Sequence, residues 1–569
     1  MIVLASYQQN YTPLAHSLGW SALVAAIPLL GLFLLLGVLR MKAWQAGLLG
    51  LLAAFLVAIV IYKMPVITAV AAATQGAAFG AFPAMWIVVN AIWVYQLTVR
   101  TGHFDVLRRS FASVSADQRV QAIIIAFCFG ALMEALAGFG TPVAITAVML
   151  IGLGFKPLKA ATVALVANTA PVAFGAVALP IVTLAKVTGL PQNALASHVA
   201  VQTPVLAVFV PLALVFIVDG KRGVRETWLP ALVTGVAFAV ASYLMATYGP
   251  IALTDIAAAL VSAGALILLL RVWRPSTVRA GDAPGPDETT SPEHGRAEAG
   301  STVSGSTQDG HTLTARRPPV LTQDRRNVLL AYFPYALIVI VFSIVNIPAV
   351  KSALDTLTVS VKWPGLSIVS DKGVPSTIST YKFDWVSDIG SLLFVIGIIT
   401  AVVLRIGLKD AVRSYGDTLI QLRTAIVTVL AVLALAFVMN ASGQTVTLGL
   451  FLAQAGGLFA LLSPLLGWFG TAVTGSDTSS NALFGTLQVS AAKGIGLNPL
   501  LTAAANSSGG VLGKMISPQN LAVGAAAVGL SGREGELFRR VFVWTVAFLI
   551  FMCVLVYLQS TPVLSWVLP

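Results

Sequence analysis

Ala122-Ile123-Ile124-Ile125-Ala126-Phe127-Cys128-Phe129-Gly130-Ala131-Leu132-Met133-Glu134-Ala135-Leu136-Ala137-Gly138-Phe139-Gly140-Thr141-Pro142 reads as a membrane helix together with its end. Glu134 is its one ionisable residue. An apolar helix of about 20 residues crosses about 30 Å of hydrocarbon. Gly138 and Gly140 suit a chain break, and Thr141-Pro142 suits a new helix start, with Thr as a cap and Pro in the first turn. Apolar runs recur through most of the chain, from 18–39 to 541–560. Several are short or interrupted by Gly and Pro. The expectation is an all-α polytopic membrane protein with about 12–16 membrane segments, broken helices or re-entrant hairpins among them.

Composition agrees. Of 569 residues, 57% are hydrophobic and 10% charged, with a mean hydropathy of +0.89. Soluble domains carry about 25% charged residues, so a soluble fold is excluded. Barrel strands would show alternating segments of about ten residues, and none are seen. The net charge of +12 comes from basic residues between apolar runs, as positive-inside topology requires. It therefore gives no case for nucleic acid. Cys128 and Cys553 both lie in apolar runs and read as small buried hydrophobes. The run from Ser17 to Leu39 is long enough to be a retained span.

The basic clusters, among them Arg108, Arg109 and Arg119, then Lys221, Arg222 and Arg225, and later Arg533, Arg539 and Arg540, fall on one face, assigned to the cytoplasm. Both termini then lie outside. Residues 273–326 are rich in Pro, Gly, Ser and Thr and read as a disordered cytoplasmic linker. It separates an N-terminal membrane half, 1–272, from a C-terminal half, 327–569. A loop over about 350–386 is expected outside, with short strands.

The halves echo each other. Gly152-Leu153-Gly154-Phe155-Lys156-Pro157-Leu158 resembles Gly494-Ile495-Gly496-Leu497-Asn498-Pro499-Leu500. Ala167-Asn168-Thr169 leads to Gly175 as Ala505-Asn506-Ser507 leads to Gly513. One buried acid precedes each first glycine, Glu134 by 18 residues and Asp477 by 17. Counting segments places the two glycine motifs on opposite faces, which is an inverted repeat. Carriers of that kind bind substrate near the midplane, where broken helices meet.

Charge inside a membrane is costly and usually functional. Glu134, Asp477 and Lys514 are the clear cases; Lys186 and His198 flank an external turn and read as solvated or interfacial. A carboxyl in an apolar interior favours its neutral form, so Glu134 and Asp477 are candidates to carry a proton. Candidate substrate ligands are Thr141, Asn168, Thr169, Ser476, Thr478, Ser479, Asn481, Asn506, Ser507 and Lys514. Their hydroxyls and amides crowd chain breaks where helix N-termini favour an anion, and Lys514 supplies the cation. No metal-ligand cluster, nucleophile–base pair or cofactor motif is readable, so neither an enzyme nor a cofactor is expected.

Several long stretches resemble the bacterial lactate permease family. They are Glu134 to Pro142, Gly152 to Leu158, Ala167 to Gly175, Pro180 to Gly189, Leu466-Gly467-Trp468, Thr474 to Phe484, and Gly513 to Gln519. The resemblance implies a multi-pass carrier of the bacterial inner membrane that takes up lactate, and often glycolate, with protons. The 273–326 linker is longer than the family leads one to expect. The alternatives are a sodium-coupled organic-anion carrier, a membrane enzyme, or a channel. Uptake with and without sodium separates the first, and saturable counterflow excludes the last. The expected partners are the small-molecule substrate, protons and the lipid bilayer.

Overall fold

The computed structural model describes residues 6–39, 41–136, 138, 140–275, 324–345, 347–371, 373, 379–531 and 533–569. Most of the expected linker, 276–323, lies outside them. Among the described residues, 10 helices are long and apolar enough to cross a membrane, or up to 11 if the bent pair Pro157–Ala167 and Val172–Thr188 is one span. The protein is an all-α, multi-pass membrane protein. Some of these helices hold more than one crossing. Gln192–Tyr248 has 57 residues, which at 1.5 Å per residue is about 86 Å against the roughly 30 Å required. It turns at Asp219 and Gly220, whose backbone is not helical. Val66–Arg100 likewise has a non-helical Phe82 before Pro83.

Four short strands occur among the described residues. Val359–Lys362 pairs antiparallel with Thr380–Phe383 inside the expected external loop. Tyr7–Gln8 pairs parallel with Ile368–Val369 and so ties the N-terminal segment to that loop. The two halves of the chain pack into each other. Leu408–Ser442 lies against Ala43–Leu56 and Val66–Phe79. Cys128 and Cys553 are free and buried, as their apolar surroundings require.

Eight helices build the centre: α1 (Gln118–Leu136), α2 (Thr141–Gly152), α3 (Pro157–Ala167), α4 (Gly175–Thr188), α5 (Thr254–Val272), α6 (Phe459–Thr474), α7 (Asp477–Ile495) and α8 (Pro499–Gly513). The packing of α6 on α8 depends on missing side chains. A methyl on Gly467 would meet the backbone of Asn506, and methyls on Gly509 and Gly513 would meet the carbonyls of Pro464 and Trp468. Gly509-x-x-x-Gly513 is the small-residue spacing that lets membrane helices approach closely. It brings the polar row Asn506-Ser507-Ser508 against α6 and α7.

Arg119, expected as a loop cation, is instead fully buried at the start of α1. Its guanidinium contacts Asp117 at 2.8 Å, Asp219 at 3.3 Å and Glu226 at 2.7 Å. A buried cation needs such partners. The cluster pins the first turn of α1 to the break in Gln192–Tyr248.

Candidate functional site

The two echoed segments fold differently for a local reason. In the first half, α3 stops at Ala167, and Pro171 follows. Proline lacks the N–H a helix needs and disfavours helical geometry in the residue before it. The chain bends by 64° before continuing as Val172–Thr188. The second half has Ser508-Gly509-Gly510 after its Asn-Ser, and α8 runs unbroken past Asn506 to Gly513.

Glu134 is buried near the C-terminal end of α1. Its Oε2 accepts a hydrogen bond from Asn168 Nδ2 at 2.9 Å. Its Oε1 pairs with the ammonium of Lys514, itself buried just after α8. Gly175 closes on the same carboxylate: a methyl there would sit 2.9 Å from Glu134 Oε1. The backbone beyond it is strained, because Ala176, Val177 and Ala178 have φ of 44°, 58° and 65°, a region L-residues other than glycine avoid. Such strain persists only where the surroundings enforce it, often at functional sites.

Asp477 opens α7, preceded by the left-handed Gly475 and the cap Ser476, whose hydroxyl accepts from Ser479 N. Its Oδ2 accepts from Ser507 Oγ at 2.7 Å and from Asn481 Nδ2 at 3.4 Å. Asn506 donates to Asn481 Oδ1 at 2.9 Å and accepts from Gln488 at 3.2 Å. Gln488 and Ser463 complete the network through a 2.7 Å bond. Asn481 also reaches the Pro180 carbonyl of α4 at 3.2 Å, which joins the two halves. In each half one member of the echoed pair thus holds the acid, Asn168 for Glu134 and Ser507 for Asp477.

Between these two nodes lies a cavity of about 40 Å³. Glu134, Gly138, Gly175, Ala176, Pro180, Ser476, Asp477, Thr478 and Lys514 are in its wall. One water needs about 10–15 Å³ by this measure, so it has room for a few non-hydrogen atoms. A wider depression at Arg533, Gly535, Glu536 and Arg539 lies at the protein surface. Arg533 and Glu536 pair there at 2.6 Å across a largely solvated wall, and it has no enclosed chemistry.

Of the sequence candidates, Glu134, Ser476, Asp477, Thr478 and Lys514 line the cavity. Asn168, Asn481, Asn506 and Ser507 stand behind it, bonded to its acids or to each other. Ser479 is buried in the first turn of α7. Thr141 and Thr169 are not in the wall. Thr141 is the first residue of α2, whose cap is the left-handed Gly140 rather than a threonine hydroxyl. Thr169 turns its hydroxyl to the Val166 carbonyl at 2.8 Å. Lys514 chooses Glu134, in the other half of the chain, over Asp477. His198, expected at an interface, is buried, with Nδ1 2.8 Å from the Ala194 carbonyl.

Sequence reasoning missed Gln488, and it missed Asp255 on α5, whose carboxyl is buried with no hydrogen-bond partner. Asp255 follows Gly249-Pro250 by a few residues and looks like the edge of a loop. The available signal was its position inside the apolar run 250–271. Among the described residues, no group of three His, Cys, Asp or Glu is placed to hold a metal ion.

The family model for L-lactate permease matches residues 21–563. The L-lactate permease of Bacillus subtilis (strain 168) is 40% identical over 584 residues, covering 99% of this chain and all of that one. The glycolate permease GlcA of Escherichia coli (strain K12) is 41% identical, covering 94% of this chain and 95% of that protein. The L-lactate permease of the same strain is 39% identical over 99% of this chain and all of its own length.

Proposed function

The chain belongs to the L-lactate permease family, and on that premise we propose that it takes up lactate and related 2-hydroxy monocarboxylates, glycolate among them, by proton symport across the bacterial inner membrane. The observation that carries this reading is the buried pair of Lys514 and Glu134 in the wall of a small central cavity. An anion entering an apolar interior needs a cation, since an unpaired buried charge costs several kcal/mol. Lys514 is the cation in that wall, and Glu134 already holds it.

The substrate carboxylate and Glu134 therefore compete for one ammonium. Protonating Glu134 removes the competitor, and the proton and the anion enter together with no net change in buried charge. Asp477 is the second acid available to hold a proton. Ser476 and Thr478 offer hydroxyls to the 2-hydroxyl group, at a helix N-terminus that favours negative charge. Asn168, Asn481, Asn506 and Ser507 fix the acids. Thr141, Thr169 and Ser479 support the chain breaks on either side.

The oxygen-rich set of Asp477, Asn481, Ser507 and the Pro180 carbonyl also suits a hard cation, which makes sodium coupling the second reading. The deciding experiment is uptake of labelled L-lactate into proteoliposomes under an imposed inward proton gradient without sodium. Accumulation that collapses with a protonophore and is competed by glycolate supports the proposal. Accumulation only after sodium is added overturns proton coupling and keeps the carrier.

A further inference from the structure

We propose that Asp255 is a proton-relay residue of the transport cycle, feeding Glu134 from the side of α5. This rests on the proton-symport reading above. Asp255 lies in the first turn of α5, 1% exposed. Both its carboxyl oxygens are buried, and neither has a hydrogen-bond partner. An acid at a helix start ordinarily caps backbone N–H groups, and Asp255 caps none. An isolated carboxylate in such a place is far costlier than the neutral acid, so Asp255 stands as an acid with a proton to give.

The surroundings say where the proton goes. Helix α5 packs against the Glu134 end of α1, against α4 and against Val210–Tyr248. The last of these ends at Tyr248, which is exposed. The charges that act on Asp255 are Glu134 and Lys514. Asp255 thus joins Glu134, Lys514 and Asp477 as an ionisable group of the centre, outside the cavity wall itself.

The step balances. At rest Asp255 is a neutral acid, Glu134 a carboxylate and Lys514 an ammonium, which sum to zero. The Asp255 proton passes to a water bridging the two acids while that water gives a proton to a Glu134 carboxylate oxygen, each O–H bond broken being matched by one formed. Asp255 becomes the carboxylate, still within electrostatic reach of Lys514, and Glu134 becomes neutral and releases the ammonium. The substrate anion then occupies Lys514 while one proton from solution restores Asp255. The loaded site again sums to zero, with one proton taken up per anion.

The test compares wild-type protein, Asp255→Asn and Asp255→Glu in proteoliposomes. Each is assayed for lactate counterflow without a gradient and for accumulation driven by a proton gradient without sodium. Positioned proton transfer is typically worth about 10²-fold or more. Asp255→Asn is expected to lose accumulation by about that factor while counterflow persists, and Asp255→Glu to restore accumulation. Accumulation by Asp255→Asn at the wild-type rate overturns the proposal. Equal loss of counterflow and accumulation overturns it too, since that is a structural role. A wild-type protein that ignores the proton gradient would sink the symport reading first, and the relay with it, before any variant is compared.

Discussion

Lys514 and Glu134, 380 residues apart in the chain, form an ion pair buried at the centre of the helical assembly. The pair crosses from one echoed half to the other. It sets the site's charge, and it makes each partner's removal informative. Removing one member of a buried pair leaves an uncompensated charge, at a cost of about 3–5 kcal/mol. Lys514→Gln is therefore expected to lower the melting temperature of the purified protein markedly and to abolish lactate-dependent stabilisation. Adding Glu134→Gln to it should recover part of the stability, because the orphaned carboxylate is gone. A double variant no more stable than Lys514→Gln alone would contradict the pairing.

The glycine that lets the chain close on this carboxylate gives a second prediction. A methyl on Gly175 would stand 2.9 Å from Glu134 Oε1 and 3.1 Å from its Cγ. Gly175→Ala should displace the acid from Lys514 and reduce proton-driven uptake. Gly152→Ala, with nothing within 4 Å of the added methyl, should leave uptake near wild type. Equal uptake by the two variants would show that the Glu134 position does not matter to transport.

Much of this was legible in the sequence. Glu134, Asp477 and Lys514 stand out because almost nothing else in those runs is ionisable, and the cost of burying charge makes such residues conspicuous. The echo of Asn168 and Asn506 pointed to the two segments that hold the acids. The choice of Glu134 by Lys514 was not legible, since no spacing within one segment encodes a contact between halves. Asp255 was hidden by its closeness to Gly249-Pro250, where an acid passes for a helix cap. Thr141 illustrates the opposite error: a threonine before proline looks like a cap, but the left-handed Gly140 takes that position and the helix starts one residue earlier, at Thr141 itself.

At the cytoplasmic-side cluster expected from the basic residues, Arg119 holds three carboxylates. Arg119→Gln should destabilise the protein by about 3–5 kcal/mol, read as a lower denaturation midpoint in detergent. Its effect on uptake should follow the loss of folded protein. Unchanged stability would mean that the acids find solvent when the guanidinium goes.

Asp388 caps the helix Ile389–Val403 just after the hairpin of Val359–Lys362 and Thr380–Phe383, accepting from Gly390 N at 2.8 Å. Burial pushes its carboxyl up to about 7, against a lowering by the bonds to the Gly390 and Ser391 backbone. The folded state thus binds the proton more tightly than the unfolded chain. The stability this contributes is full below the unfolded value, near 4, and is lost as pH rises through about 7. Asp388→Asn keeps the cap without the charge. The stabilisation of this variant relative to wild type should grow between pH 5 and pH 8, as followed by thermal unfolding. A difference that stays constant over that range would contradict the assignment.

The most direct test of the central claim is the response of Glu134→Gln to two assays in the same proteoliposomes. The amide mimics the protonated acid and leaves Lys514 free for the substrate. Lactate counterflow should persist, and accumulation driven by a proton gradient without sodium should vanish. If Glu134→Gln still accumulated lactate against a concentration difference under that gradient, Glu134 would not carry the coupled proton, and the account built on its competition for Lys514 would be wrong.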